Sequence, residues 1–361
     1  MKQAFATGQA AGMSEKKSWR FRAETPMWAR NGRVALVGCL LAYLAGGIPL
    51  PLAIVFLGVV HLGCSSCDTD NTTCTPAPPP SSASPVGLPV NHVFIVMEEN
   101  HSYSSVIGNA RMPYLNRLAM TYAFAQGYHA NTHPSMGNYF MLTAGKIISN
   151  DDSFSDTVTD DNIVRHLTQA GKTWKEYSEG LPSVGYTGGN TGDYVQHHNP
   201  LSYFSDVRDD PNEVSNLVPF SQFAVDLADG TLPDYSFIVP NNVDNAHSCA
   251  ESGCSTNDRL QAADDWLSIN IDPLVQSSAF NAPGGGLLII VFDEAASCDD
   301  VQGGGRVAWV VVGPSVKKGF TSTTCFQHES TLRLVSEATG LTTFLGAAAT
   351  APDMREFIVG N

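Results

Sequence analysis

Polar residues follow two apolar, β-branched runs of the chain, at the point where each run ends. The runs are residues 92–97 and 287–292. The side chains that follow them include Glu99 and Asn100 after the first run, and Asp293 and Glu294 after the second. Open α/β sheets bind ligands at the carboxyl ends of their strands. We call the acidic residues after the two runs, Glu99 on one side and Asp293 and Glu294 on the other, the acidic tips. If both tips lie at one such edge, their negative charges repel each other unless a cation lies between them. Oxygen-rich sites take Mg²⁺, Mn²⁺, Ca²⁺ or Zn²⁺, so we predict a divalent ion at this edge.

A serine in a Pro-Ser turn is the candidate nucleophile. Ser135 precedes a helical pattern and lies three residues before Asn138. A serine hydroxyl attacks only when a base or a metal lowers its pKa. The alternative role for Ser135 is that of a helix N-cap. Both roles are compatible, because a helix N-terminus offers backbone N–H groups to a phosphate, and Asn138 would then donate to the phosphoryl oxygens.

Several histidines and one further aspartate have the side chains that a metal site or a leaving-group acid needs. Asp244 and His247 lie on the segment after residues 235–239, and His328 comes late in the chain. His198 stands in a His-His-Asn-Pro segment and is a weaker candidate. A single loop histidine is more often a solvated surface residue, so these residues indicate a site only as a group.

Some classes of protein are disfavoured by what the chain carries or lacks. The formal net charge of −15 argues against a nucleic-acid binder, which needs a basic face to neutralise phosphates. A local metal can still bind a small phosphate ester, since it reverses the local field. No G-x-S-x-G elbow surrounds any serine and no Walker-type glycine loop is present. An α/β-hydrolase lipase and a P-loop enzyme are therefore both disfavoured.

Short apolar runs alternate with helical patterns through most of the chain. Such runs are typical of strands that are buried on both faces of a parallel sheet. Glycines follow several of the helical patterns, as expected at helix C-termini. The pattern predicts an α/β fold with a mostly parallel sheet in a three-layer α/β/α sandwich. The predicted strands are 92–97, 235–239, 287–292 and 308–312, and the predicted helices are 162–170, 220–228, 257–274 and 330–339.

The N-terminal quarter predicts export. Residues 1–33 are basic, and residues 34–62 are apolar and long enough to cross a bilayer, for which about 20 apolar residues suffice. This segment is a membrane anchor, a cleaved signal, or a lipoprotein signal that ends at Cys64. Residues 63–89 are rich in Pro, Ser and Thr and predict an extended spacer. One catalytic domain would then follow at 90–361, outside the cytoplasm.

Eight cysteines fit an exported chain. Four of them, Cys249, Cys254, Cys298 and Cys325, lie in the predicted domain, and four cysteines allow three pairings. We predict Cys249–Cys254, closing a short loop, and Cys298–Cys325, stapling the loop after Glu294. A zinc site is the alternative, although these spacings do not form CxxC pairs.

Five motifs occur in an order that resembles the phosphoesterase family of bacterial acid phosphatases and phospholipases C, within the alkaline-phosphatase-like superfamily. The resemblance covers about residues 90–341. The motifs begin at Glu99 (Glu-Asn-His-Ser-Tyr), His133 (His-Pro-Ser, then Asn138 and Tyr139), Pro240 (Pro-Asn, then Asp244 and His247), Asp293 (Asp-Glu) and His328 (His-Glu-Ser-Thr-Leu-Arg).

The resemblance implies an alkaline-phosphatase-like fold and phosphate ester hydrolysis through a covalent phospho-enzyme. Ser135 matches the nucleophile, and a metal ion would be held by Glu99, Asn100, Asp293 and Glu294. Asp244, His247 and His328 match positions that hold a second ion in superfamily members with two metals. His198 is a further candidate for a second ion or the substrate, from its residue type and not from the resemblance. The chain departs from the phospholipase branch after Glu294, where it has Ala295-Ala296-Ser297 instead of a glycine-rich stretch with an Asp-His pair.

The resulting hypothesis is a metal-dependent phosphomonoesterase with a phosphoserine intermediate. The ion and Asn138 would stabilise the phosphoryl oxygens, and His247 or His328 would protonate the leaving alcohol. One alternative is a phospholipase C-type phosphodiesterase that acts on lipid headgroups near the membrane. A second alternative is a catalytically silent surface domain that binds glycans or proteins. Substrate, metal identity, pH optimum and oligomeric state stay open at this point.

Overall fold

The structure is a computed structural model that describes residues 74–77, 88 and 90–360. The predicted basic N-terminus (1–33), the predicted membrane segment (34–62) and most of the predicted spacer (63–89) lie outside the described residues. Within the described residues, the structure contains no helix that is long and apolar enough to span a bilayer.

An eight-stranded sheet organises the described part of the chain. Its spatial order is β4-β3-β5-β1-β6-β7-β2-β8, and β7 alone runs antiparallel to its neighbours β6 and β2. The strands are β1 (His92–Glu98), β2 (Ala123–Ala125), β3 (Trp174–Ser178), β4 (Leu217–Pro219), β5 (Tyr235–Val239), β6 (Gly286–Phe292), β7 (Trp309–Val312) and β8 (Phe320–Ser322).

Helices cover both faces of this sheet. Successive residues of a strand point to opposite faces, and all of β5 and β6 is buried, so neither face is left to solvent. This confirms the predicted mostly parallel α/β/α architecture. The helices among the described residues are α1 (Tyr103–Val106), α2 (Pro113–Thr121), α3 (Met136–Ala144), α4 (Ile163–Gln169), α5 (Ser205–Arg208), α6 (Pro211–Val214), α7 (Ser221–Asp229), α8 (Thr256–Asn270), α9 (Asp272–Gln276), α10 (Ser278–Asn281) and α11 (His328–Ala338).

The central pair of strands brings the two acidic tips together. β1 and β6 pair in parallel along their whole length, from His92 opposite Gly286 to Glu98 opposite Phe292. The pairing continues one step beyond the strands, where the Asp293 N–H donates to the Glu98 carbonyl at 2.9 Å. Glu99 and Asp293 therefore leave the sheet side by side, at the carboxyl edge where ligands bind in such folds.

The predicted long helix 257–274 is wrong. α8 ends at Asn270, and a separate short helix, α9, begins at Asp272 with Pro273 in its first turn. Proline has no backbone N–H and its ring clashes with the carbonyl of the preceding turn, so a helix breaks before it. The other three predicted helices correspond to α4, α7 and α11 within two residues at each end.

One of the two predicted disulfides is confirmed and the other is wrong. Cys249 pairs with Cys254, as predicted. Cys325 pairs with Cys74 rather than with Cys298, and Cys298 is itself disulfide-bonded. The chain beside Cys74 is also held by its backbone, because Thr75 donates to the Thr323 carbonyl and accepts from the Cys325 N–H, each at 2.8 Å. Residues 74–77 are thus attached to the domain that contains the sheet and do not form part of a free spacer.

A buried carboxylate in β3 lowers stability at neutral pH. Glu176 is buried, and neither of its oxygens has a well-formed hydrogen bond. Burial raises its pKa well above the usual value, and the Leu201 backbone opposes this shift only in part. The folded state therefore resists ionisation of Glu176, and its stability falls as pH rises above the unfolded-state pKa.

We expect Glu176→Gln to raise the free energy of unfolding by about 1–3 kcal/mol at about pH 8 and to change it little near pH 4. Urea denaturation at both pH values measures this difference. Glu251→Gln, which neutralises an exposed carboxylate, is the control. Equal effects of the two variants at pH 8 would contradict the conclusion that the buried Glu176 carboxylate destabilises the fold.

Candidate active site

Asn100 joins the two acidic tips. Its backbone N–H donates to Asp293 Oδ1 at 3.0 Å, and its side-chain amide donates to Glu99 Oε2, also at 3.0 Å. Asn100 has a φ of 55°, in the left-handed region that asparagine tolerates better than most residues. This backbone turn directs both donors towards the carboxylates and fixes their orientation.

Glu99 and Asp293 are both fully buried. Burial raises the pKa of each carboxyl well above its usual value. The neighbouring negative charges add to this effect, from Asp293 on Glu99 and from Glu294 on Asp293. One oxygen, Asp293 Oδ2, is buried without a hydrogen-bond partner. A buried polar atom of this kind is costly unless a ligand or an ion satisfies it.

Ser135 directs its hydroxyl at these carboxylates. It occupies the N-cap position of α3, but its side chain makes no capping hydrogen bond. Instead its Oγ donates to Glu99 Oε2 at 3.3 Å. Hydrogen bonding from Ser135 also contributes to lowering the pKa values of Asp293 and Glu294, so the hydroxyl lies among all three carboxylates. The capping role that the sequence also allowed is not the one adopted.

Asn138 holds the turn before Ser135 instead of pointing into the site. Its Oδ1 accepts from the Asn131 and Thr132 N–H groups at 3.0 and 3.2 Å, and its Nδ2 donates to the Thr132 carbonyl at 2.9 Å. The amide is buried and occupied by the backbone, so it does not match the predicted donor to phosphoryl oxygens. Its effect is to fix the path of the chain that leads to Ser135.

Glu294 forms an ion pair with His133. His133 Nδ1 lies 2.9 Å from Glu294 Oε2, and His133 Nε2 lies 2.8 Å from the Asp299 carbonyl. The hydrogen bond with Glu294 is the main cause that raises the His133 pKa to about 9, so the ring carries a positive charge at neutral pH. Sequence reasoning placed Glu294 at the metal and missed His133, although His133 lies two residues before Ser135 in the same motif.

His198 packs against Tyr139 and lies beside the Glu99 carboxylate. The two rings are stacked, with centroids 5.1 Å apart and planes inclined by 11°. The Tyr139 hydroxyl donates to Glu99 Oε1, and His198 Nε2 lies 3.3 Å from the same oxygen without a well-aligned hydrogen bond. Burial lowers the pKa of His198 well below its usual value, so its ring is neutral. The structure therefore brings the weakest of the sequence candidates into the site.

Two further histidines line the same side. The His197 and His247 rings lie 4.4 and 6.2 Å from the His198 ring, measured between centroids. His247 Nδ1 is 3.0 Å from Ser248 Oγ, and the His247 carbonyl accepts from Arg259 at 2.7 Å. Burial lowers the pKa of His247. His197 was missed by sequence reasoning, although its position beside His198 was the available signal.

His328 lies behind the carboxylates, fully buried. Its Nε2 bonds to the Asp293 carbonyl at 2.7 Å, and its Nδ1 lies 3.1 Å from the Tyr128 hydroxyl. Burial lowers its pKa to about 4. Because both ring nitrogens are occupied, His328 supports the backbone of Asp293 and does not match the predicted proton donor.

Asp244 is not brought to Ser135 by any of its contacts in the structure. Its Oδ2 accepts from the Asn241 side chain at 2.8 Å. Its negative charge contributes to raising the pKa values of Glu98 and Glu179. Asp244 therefore lies near these two carboxylates. Its predicted place at a second metal or at the substrate has no support from these contacts.

A single divalent ion fits part of the predicted ligand set. Glu99 and Asp293 supply buried carboxylate oxygens, including the unpartnered Asp293 Oδ2, and Ser135 supplies a hydroxyl beside them. Hard cations prefer such oxygen donors. Among residues 74–77, 88 and 90–360, no group of three or more His, Cys, Asp and Glu side chains is arranged to hold a metal. The donor set that fits is two carboxylates with a hydroxyl, without Glu294, because His133 is already paired with Glu294 Oε2.

Comparison with known families and proteins agrees with this geometry. The model of the phosphoesterase family matches residues 109–342. A phosphatidylinositol-3-phosphatase of Mycobacterium tuberculosis is 31% identical over 269 residues, which cover 73% of this chain and 82% of that protein. A probable acid phosphatase of Kluyveromyces lactis is 29% identical, over 69% of this chain and 58% of that protein. An acid phosphatase of Aspergillus fumigatus is also 29% identical, over 71% and 56%. The chain thus spans little more than half the length of these fungal relatives.

Solved structures resemble the fold at low sequence identity. An alkaline phosphatase superfamily protein from Vibrio parahaemolyticus superposes with a TM-score of 0.54 at 10% identity, over 81% of this chain and 77% of that one. The lipoteichoic acid synthase LtaP of Listeria monocytogenes has a TM-score of 0.51 at 10% identity, over 76% and 80%. The predicted resemblance is confirmed: the chain has the alkaline-phosphatase-like fold, belongs to the phosphoesterase family, and is a phosphoric ester hydrolase of the acid phosphatase type.

Proposed function

We propose that this hydrolase is a metal-dependent phosphomonoesterase that works through a phosphoserine intermediate at Ser135. The observation that carries the proposal is the position of the Ser135 hydroxyl, which makes no capping bond and donates to Glu99. A serine held this way at a helix N-terminus lies where backbone N–H groups can donate hydrogen bonds to a phosphate.

Glu99, Asp293 and Ser135 are the residues that would hold the ion. Bound there, a divalent cation would lower the pKa of the serine hydroxyl and offset the charge of the phosphoryl oxygens. Asn100 orients both carboxylates through its two hydrogen bonds. The ion pair of His133 with Glu294 ties the Ser135 turn to the tip of β6.

In the first step, Ser135 Oγ attacks phosphorus and its proton leaves along the hydrogen bond to Glu99 Oε2. The bond from phosphorus to the alcohol oxygen breaks, and the departing alcohol takes a proton from His247. In the second step, water attacks the phosphorus of the phosphoserine, and His247, now neutral, accepts the water proton. The bond from phosphorus to Ser135 Oγ breaks, and Glu99 returns its proton to the serine oxygen. Because burial lowers the pKa of His247, its proton-donating form requires acidic pH.

The substrate that we propose is a small phosphate ester or a phosphorylated lipid headgroup. The name of the M. tuberculosis relative, a phosphatidylinositol-3-phosphatase, supports the headgroup. We propose that the domain acts outside the cytoplasm, attached to the membrane through residues 34–62 or through lipid on Cys64. The disulfides Cys74–Cys325 and Cys249–Cys254 support an oxidising compartment.

A metal add-back assay tests the proposal. The full chain is stripped with a chelator and assayed on p-nitrophenyl phosphate and p-nitrophenylphosphorylcholine, with Mg²⁺, Mn²⁺, Ca²⁺ and Zn²⁺ returned singly. We expect hydrolysis of the monoester to return with at least one ion and to exceed hydrolysis of the choline diester. Preference for the diester would favour a phospholipase C-type enzyme. Full activity in the stripped protein would contradict metal dependence.

A further inference from the structure

The segment after α3 folds back over the Ser135 turn. We call residues 147–154 the cover segment. Its Asn150 side chain donates to the His133 carbonyl, and its Asp152 Oδ1 accepts from the Met136 N–H at 3.1 Å. The approach is close because Gly137 has no side chain: a Cβ at Gly137 would lie 2.6 Å from Asn150 Oδ1. The cover segment therefore packs closely against the turn that contains Ser135.

Asp152 places a carboxylate at the first N–H group of the nucleophile helix. Met136 follows Ser135 directly and is the first residue of α3. N–H groups at this end of a helix favour an anion, so a phosphoryl group on Ser135 and the Asp152 carboxylate compete for the same donor.

The other contacts of Asp152 also place it near Ser135, where the phosphoryl group is proposed to bind. Its Oδ2 lies 3.9 Å from His197 Nε2, and its side chain is 35% exposed. Its charge adds to the burial that raises the pKa of Glu294, and it opposes the burial that lowers the pKa of His247. Asp152 is thus close to the acidic tip of β6 and to the histidine side, within reach of solvent.

We propose that Asp152 is a specificity-determining residue that disfavours doubly charged phosphoryl groups. Its carboxylate occupies the Met136 N–H, and its negative charge repels a phosphoryl dianion more than a monoanion. The substrates selected are protonated monoesters and other singly charged phosphate esters. This inference rests on the proposed function, since it places the phosphoryl group at Ser135.

Discrimination against phosphoryl dianions makes the binding of substrate and product depend on pH. A phosphate monoester loses its second proton near pH 6, so it is a monoanion in acid and a dianion above neutral pH. A phosphodiester is a monoanion throughout this range. Asp152 therefore weakens the binding of monoesters and of inorganic phosphate above neutral pH, while diesters are little affected.

The test uses the full chain with Asp152→Asn, which removes the charge and keeps an oxygen that can accept from Met136. Asp151→Asn is the matched control, because it removes the same charge from an adjacent residue whose carboxylate bonds to Ser153 instead. At about pH 8, the KM values for p-nitrophenyl phosphate and bis(p-nitrophenyl) phosphate are compared, and inorganic phosphate binding is measured by calorimetry.

We expect Asp152→Asn to lower the monoester KM and the phosphate Kd about tenfold, with the diester KM changed by less than about twofold. Equal changes for the two substrates, or the same effect in Asp151→Asn, would overturn the proposal. If Asp152→Asn does not fold, Asp152→Ser gives the same neutral test. The calorimetry needs no turnover, so it decides the role of Asp152 even if the wild-type chain fails to hydrolyse the monoester and the proposed function is lost.

Discussion

Ser135→Ala is expected to lower kcat for p-nitrophenyl phosphate by at least about a thousandfold, because it removes the attacking atom of the proposed mechanism. The fold should be unaffected, since the Ser135 side chain makes no capping hydrogen bond to α3. In the presence of the ion, inorganic phosphate should still bind, because the two carboxylates that would hold the ion, the histidines and the α3 N-terminus stay in place. Steady-state kinetics, phosphate calorimetry and near-ultraviolet circular dichroism measure the three expectations.

The control for this variant is Ser104→Ala, which changes an exposed serine in α1. It should retain wild-type kcat. Residual activity of more than a few per cent in Ser135→Ala, with metal content unchanged, would show that another group or a water molecule attacks phosphorus.

Asp293→Asn should lose at least about a hundredfold in divalent-metal affinity and a comparable factor in activity. The same variant should be more stable than wild type in the absence of metal above neutral pH. The reason is that burial and the Glu294 charge raise the Asp293 pKa, so the ionised group costs folding free energy as pH rises. Thermal unfolding with and without added ions measures both effects in one series.

The matched control is Asp300→Asn, which neutralises an exposed aspartate in the same loop. It should unfold as wild type does, with and without ions. A variant Asp293→Asn that keeps the full metal-induced increase in melting temperature would contradict the assignment of Asp293 as a ligand.

The centre of the fold could be predicted from sequence because its strands are continuous apolar runs. β5 has the predicted bounds, and β1 and β6 each differ by one residue. The edge strands β4 and β8 were not predicted, since each has three residues, too few for a hydrophobic period to show. β3 was also missed, because Lys175 and Glu176 interrupt its apolar pattern.

The candidate site could be predicted as a set of residues, but not as a set of contacts. Strand pairing explains why Glu99 and Asp293 meet, and this follows from the two acidic tips. The Asn138 amide bonds to backbone groups such as the Thr132 carbonyl, and His328 bonds to the Asp293 carbonyl and the Tyr128 hydroxyl. A motif names a side chain and does not show which atom it faces, so these two were given roles that the packing does not support.

The disulfide error has a similar physical cause. Pairing depends on the distance between two Cα atoms in the fold, which spacing along the chain does not fix. Cys249 and Cys254 are five positions apart, so a short loop nearly determines their pairing. Cys74 and Cys325 are 251 positions apart and meet only because residues 74–77 run beside the segment that follows β8.

The most direct test of the phosphoserine mechanism is to trap the intermediate. The full chain is mixed with p-nitrophenyl phosphate at acidic pH, quenched with acid within milliseconds, digested and examined by mass spectrometry. The mechanism predicts one phosphoryl group on the peptide that contains Ser135, and none in Ser135→Ala treated in the same way. Rapid hydrolysis with no phosphorylated peptide, or with the phosphoryl group on another residue, would contradict it.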